Sequence, residues 1–164
     1  MIKSPSLLPR CQRGFTLIEL ITVMMIIGVL AVVVLPRFDL LRGFDEIGYR
    51  DKVKATLEFA RKSAVAQRRN VRVTLAGNNL TLTIDDDIPE GGSAGTYPRL
   101  LALPAPDSSC GATNQICAPS GVTLAGTAAL SFTPLGVPSS AGSYTVTGDA
   151  AQTITVEAET GYVH

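Results

Sequence analysis

Nucleophilic and metal-assisted chemistry draw on histidine, thiolate and carboxylate held in close groups, and this 164-residue chain is poor in the first two. Its one histidine, His164, is the last residue, and its cysteines are Cys11, Cys110 and Cys117. A serine triad needs a histidine between two partners, and a zinc site needs several Cys or His ligands. Neither set can be assembled here, so no metal, no cofactor and no chemistry of those kinds is expected. Asp85, Asp86, Asp87 and Glu90 cluster, but their spacing is not that of an EF-hand loop, and they read as solvated loop acids. The stretch GGSAGT at 91–96 lacks the Gly-Lys-Ser/Thr ending of a phosphate loop.

The chemistry that remains sits in RGFTLIEL, residues 13–20. Phe15 to Leu35 are 21 consecutive residues whose single charge is Glu19. At about 1.5 Å per residue that run reaches about 30 Å, the thickness of a bilayer's hydrocarbon core. A secretory signal would have an apolar stretch of about 7 to 15 residues and a small-x-small cleavage site, whereas this run is longer and ends in VVVLPR. A lipoprotein signal needs its cysteine after the apolar run, and Cys11 precedes it. Lys3, Arg10 and Arg13 lie ahead of the run with no acid among them, so that end is expected to stay cytoplasmic.

An acid at the centre of a span costs about 2.5 to 3.5 kcal/mol and less near an end, so Glu19 needs a partner. One account is local: Thr16-Leu17-Ile18-Glu19 fits an S/T-x-x-E capping box, with the acid at the positive end of the helix dipole. The other begins with a cut after Gly14, which makes Phe15 a new, mostly protonated N-terminus. The amine of one subunit meeting Glu19 of another would cancel two buried charges and set the register between packed helices.

RGFTLIELITVMMIIGVLAVVVLPRF resembles the N-terminal signature of type IV prepilins and type II secretion pseudopilins. The resemblance implies a basic leader, residues 1–14, removed by a prepilin peptidase that also methylates Phe15, and it makes Glu19 the assembly acid. It also places Pro36 where pilin helices bend or loosen on leaving the membrane; the missing N–H and the ring clash supply the cause. The stretch from Phe44 to Val73, with its ARKSAVA run, and the closing strands look like minor members of the GspH/FimT kind, the minor pilin of mannose-sensitive haemagglutinin pili in particular.

The elements that carry these residues follow from periodicity. After the span at 15–35, the segment 36–70 is expected to loosen near Gly43 and Gly48 and to resume as a helix from about Tyr49 to Asn70. Val53, Leu57, Ala60 and Ala64 fall on one face of it. VRVTL and LTLTI alternate around AGNN and predict a hairpin. Residues 85–98 read as an exposed loop, RLLAL as a further strand, and SYTVT with QTITVEA around GDAA as a second hairpin. The expected fold is α+β and type IV pilin-like: a long N-terminal transmembrane and assembly helix packed on an antiparallel β-sheet domain over 71–164. Cys110 and Cys117 alone lie beyond the span; in an oxidising compartment they favour a disulfide over two free thiols.

The rival signal is basic. Eight Lys or Arg lie between Arg50 and Arg72 against Asp51 and Glu58, so DNA contact through Arg68 and Arg69 is one reading. A solvated face, or one meeting acidic subunits or lipid headgroups, is the other. Some FimT-like relatives bind DNA through a basic C-terminal tail, whereas this chain ends VEAETGYVH, which argues against nucleic acid. A plain single-pass anchor of a β domain is a further alternative. The preferred reading is a minor pilin or pseudopilin precursor, a substrate and not an enzyme. It would be held in the bacterial inner membrane with its C-terminal domain in the periplasm. It would then pack with other major and minor subunits to initiate or cap a pilus or secretion pseudopilus.

Overall fold

The computed structural model describes residues 14–34, 39–86 and 96–164. It divides into two units, residues 1–38 and residues 39–164.

In the first unit, helix α1 spans Leu17–Val34. Thr16 caps it: its Oγ1 accepts the Glu19 N–H at 3.3 Å, one half of the capping box, and its carbonyl accepts the Leu20 N–H at 3.2 Å. Apolar side chains cover every side of the helix and are exposed, from Phe15 and Leu17 to Val29 and Leu30. A helix apolar all round requires lipid or other helices as its surroundings. Among the described residues no helix is long and apolar enough to cross a membrane. The 18 residues of α1 reach about 27 Å, and the apolar run of the sequence continues past Val34 into residues outside the described set. Pro36 also lies outside it.

In the second unit, helix α2 spans Asp39–Gln67. The expected loosening near Gly43 and Gly48 does not occur; the helix runs through both. Each glycine costs about 1 kcal/mol relative to alanine, and burial on the inward face offsets it, at about 1.5 to 3 kcal/mol for each large apolar side chain. That face is Tyr49, Val53, Leu57, Ala60 and Ala64, all buried. The helix ends in a Schellman motif, with Arg68 in the left-handed region at φ 52. Arg69 N–H bonds the Ala64 carbonyl at 3.2 Å and Arg68 N–H the Val65 carbonyl at 3.4 Å.

Strands β1 (Val71–Ala76) and β2 (Asn79–Ile84) form the expected hairpin, Val71 opposite Ile84. Gly77 takes φ 59, which a primed hairpin turn requires at its first central position. Strand β6 (Ala129–Phe132) pairs with β1. The far edge of β2 is shared by two short strands, β3 (Arg99–Leu100) and β4 (Gln115–Cys117). The expected strand over RLLAL stops at Leu100. Leu101 and Leu103 are still buried, but the Leu103 N–H turns to the Thr113 carbonyl. Buried Asn114 fills the gap, its Nδ2 donating to the Leu82 carbonyl at 2.9 Å.

The second sheet has the order β5 (Thr123–Gly126), β7 (Gly142–Thr147), β8 (Ala151–Val156), all antiparallel. The chain crosses from β5 into β6 of the first sheet at Gly126, φ 148, where a Cβ would meet the Ser143 carbonyl oxygen. The closing residues lie along β8, with Thr155 and His164 exchanging backbone bonds at 2.8 and 3.0 Å. Helix α2 touches both sheets, and the core of the unit lies beneath it: Leu80, Leu82, Leu130 and Phe132 from one sheet, Tyr144, Val146, Ile154 and Val156 from the other. One helix laid on antiparallel sheets makes the fold α+β.

Candidate assembly site

Gly14, Phe15 and Thr16 precede α1 as irregular chain. A Cβ built on Gly14 would meet nothing within 4 Å, so the described fold itself does not require glycine there. Phe15 is 80 % exposed. Glu19 is exposed in the first turn of α1, and its carboxylate makes no hydrogen bond or ion pair among the described residues. The local cap therefore engages the Glu19 amide and, among the described residues, gives the acid itself no counter-charge.

Elsewhere the structure shows how α2 holds the loops of the second unit, through polar residues that sequence reading passed over. Glu46, 3 % exposed, turns inward. Its Oε2 accepts the backbone N–H groups of Asp149 at 2.8 Å and Ala150 at 3.1 Å, the turn between β7 and β8. Tyr49 Oη donates to the Asn78 carbonyl at 2.9 Å. Burial, and secondarily the charge of Asp107, push its phenol above the ordinary range. The Asn78 side chain reaches the Val122 carbonyl and the Leu124 N–H at 3.4 Å each, so the first hairpin's turn is tied to the second sheet. Lys52 pairs with Asp107 at 2.9 Å. The Ser109 hydroxyl first, then Lys52 and the Ser109 amide, hold the Asp107 carboxyl down at about 2. Arg61 Nε donates to the Gly136 carbonyl at 3.2 Å. Gly161 packs there so closely that a Cβ would meet that same carbonyl oxygen. Glu46, Tyr49 and Val53 at spacings of three and four were the available signal: the inward stripe begins earlier than its apolar members.

The basic run is largely engaged. Arg69 Nη1 donates to the Asp85 and Asp86 carbonyls at 3.1 and 2.8 Å, Lys62 pairs with Glu58 and Arg50 with Asp51. Arg68 serves as the helix cap with its side chain exposed. Asp85, read as a solvated acid, is buried and accepts from Asn70 Nδ2 at 3.4 Å, because it closes the sheet end beside α2. Asp87 and Glu90 lie outside the described residues. Among the described residues no group of three His, Cys, Asp or Glu could hold a metal ion. Cys110 and Cys117 are joined by a disulfide, Cα atoms 5.6 Å apart, which ties the loop to β4.

An exposed apolar helix behind a Gly-Phe junction, followed by a helix laid on antiparallel sheets, defines a pilin-like chain. Residues 9–35 match the profile of the prokaryotic N-terminal methylation motif, and residues 51–160 match that of type II transport protein GspH. The chain therefore belongs to the GspH family, and it is a subunit of the minor pilin or pseudopilin class. Among solved structures it is similar to the type IV minor pilin FimU of Pseudomonas aeruginosa, at 15 % identity and TM-score 0.51, over 70 % of this chain and 82 % of that one. It is also similar to the minor pseudopilin EpsH of the Vibrio cholerae type II secretion system, at 13 % identity and TM-score 0.50, over 76 % and 94 %. Those likenesses concern the fold. Comparison with curated proteins gave no match.

Proposed function

We propose that this chain is made as a precursor, cut between Gly14 and Phe15 by a prepilin peptidase on the cytoplasmic face of the inner membrane, and methylated on Phe15. It is the substrate of that chemistry; its own work is structural. The residues from Phe15 to Leu35 hold it in the bilayer, while the unit from Asp39 onward faces the periplasm. On assembly the apolar helix moves from lipid to a bundle of other major and minor subunits, where it helps to initiate or cap a filament.

The observation that carries the reading is the carboxylate of Glu19, without a partner among the described residues, on a helix that is otherwise apolar on every side. In lipid such a charge is costly; the Phe15 amine of a neighbouring subunit supplies the opposite charge. Glycine at position 14 suits the same reading: among the described residues nothing confines it, and a small residue there leaves room for the enzyme that cuts beside it. Removing residues 1–14 takes Lys3, Arg10 and Arg13 and no acid, which leaves the mature form mildly acidic. Intact mass of the chain extracted from membranes tests the cut. A mass starting at N-methylated Phe15 is expected, and a chain still starting at Met1 would leave only a plain membrane anchor.

A further inference from the structure

Val71 and Val73 of β1 point into the core, so Arg72 between them stands on the outer face of the first sheet, away from α2. Its neighbours on that face are Ser131 of β6 on one side and Thr83 of β2 on the other, and Leu100 of β3 lies beyond Thr83. The row Ser131, Arg72, Thr83, Leu100 crosses four strands. Small hydroxyl side chains flank the guanidinium, which lies over the ring of Tyr97 with its central carbon 3.9 Å from the centroid. Nε is turned to Ser131 Oγ at 3.4 Å. The two terminal nitrogens make no hydrogen bond or ion pair among the described residues. At the end of the row Leu100 is 66 % exposed.

A guanidinium fixed by a ring on its face and a hydroxyl at its Nε presents a preoriented fork of donors, the arrangement that takes a carboxylate through two parallel bonds. Arg and Tyr are also the residue types that carry most energy at protein interfaces. We infer that the Arg72–Tyr97 pair anchors a protein interface whose partner is a segment of another subunit presenting a carboxylate beside an apolar side chain, the first for the Arg72 fork and the second for Leu100. This rests on the reading of the chain as a subunit that packs against others, and it names the chemistry of one contact. The surroundings favour a protein over a polyanion. One face of Tyr97 is taken by Arg72, Arg69 is turned to backbone carbonyls, and Arg99 lies 3.9 Å from Asp86. Among the described residues of this face a nucleic acid would meet the Arg72 fork and no track of cations with open stacking rings.

The test uses the full chain, 15N-labelled in detergent micelles, titrated with the blocked tetrapeptide Gly-Leu-Glu-Gly, with its Gln counterpart, and with oligothymidylate. Saturable amide shifts confined to residues 72, 83, 97, 100 and 131 are expected with the Glu peptide only. Arg72→Met keeps an unbranched apolar stem at the position and removes the fork; it should weaken binding about tenfold, while Arg72→Lys weakens it less. Unchanged amide positions away from the row show that either variant is folded. Equal binding by the Met variant or by the Gln peptide, no shift with any probe, or the same shifts produced by oligothymidylate at lower concentration would each overturn the inference; the last would make the face a phosphate-binding one. Intact mass of Arg72→Met from membranes reads the cut after Gly14 separately, so failure here is distinguishable from failure of the proposed function.

Discussion

Glu46 on α2 and Asp149 in the turn between β7 and β8 are joined by a carboxylate-to-amide bond of 2.8 Å that spans 103 positions of sequence. The same oxygen holds the Ala150 amide, and a Cβ on Gly148 would come within 2.8 Å of it. One buried acid thus fixes the second hairpin against the helix.

Removing that acceptor leaves two amides without a partner. Glu46→Ala is expected to cost about 1 to 3 kcal/mol, and Glu46→Gln, which keeps one acceptor oxygen, clearly less. Urea midpoints at unchanged slope measure both.

Asp107 gives the stability a pH dependence of known sign. Its folded value of about 2 lies below the ordinary 3.8, so its contribution is complete above about pH 4 and is lost as pH falls towards 2. Half-exposed Lys52 is screened by salt, whereas the 2.7 Å bond from the Ser109 hydroxyl persists. Against Asp107→Asn, the parent chain should lose its relative advantage between pH 4 and pH 2, and moderate salt should change little.

Arg68 occupies a left-handed position that costs a side chain about 1 kcal/mol or more. Arg68→Gly is expected to stabilise the folded unit by about 0.5 to 1 kcal/mol, part of the relief being returned as glycine's freedom in the unfolded chain. A raised thermal midpoint is the readout.

The Cys110–Cys117 bridge closes a short loop, and its removal as Cys110→Ser with Cys117→Ser should cost up to about 2 to 3 kcal/mol. Because Cys117 of β4 pairs with Asn79 of β2, faster hydrogen exchange should appear first at Asn79 to Thr81 and leave β1 protected.

The two hairpins and the buried face of α2 were legible because their periods are long and regular: six paired positions in each hairpin and a stripe at helical spacing. The strands β4, β5 and β6 were not, since three or four residues carry too little alternation, and their pairing is set by Asn114, Asn78 and Gly126 at a distance in sequence. Gly43 and Gly48 misled, because local propensity favours a break where tertiary burial of Tyr49 and Val53 favours a helix. At the candidate assembly site, residue type and order alone singled out Gly14, Phe15 and Glu19, within the matched methylation motif. The inward turn of Glu46 was marked only by its spacing from Tyr49 and Val53; its partners are backbone amides, which no side-chain pattern announces.

The measurement that bears most directly on the account is the recovery of Glu19→Ala in sheared filaments beside the parent chain, both verified by mass to begin at Phe15. The variant is expected to be cut normally yet to stay in the membrane fraction, its helix having lost the charge that answers a neighbour's amine. Equal entry of variant and parent into filaments would contradict it.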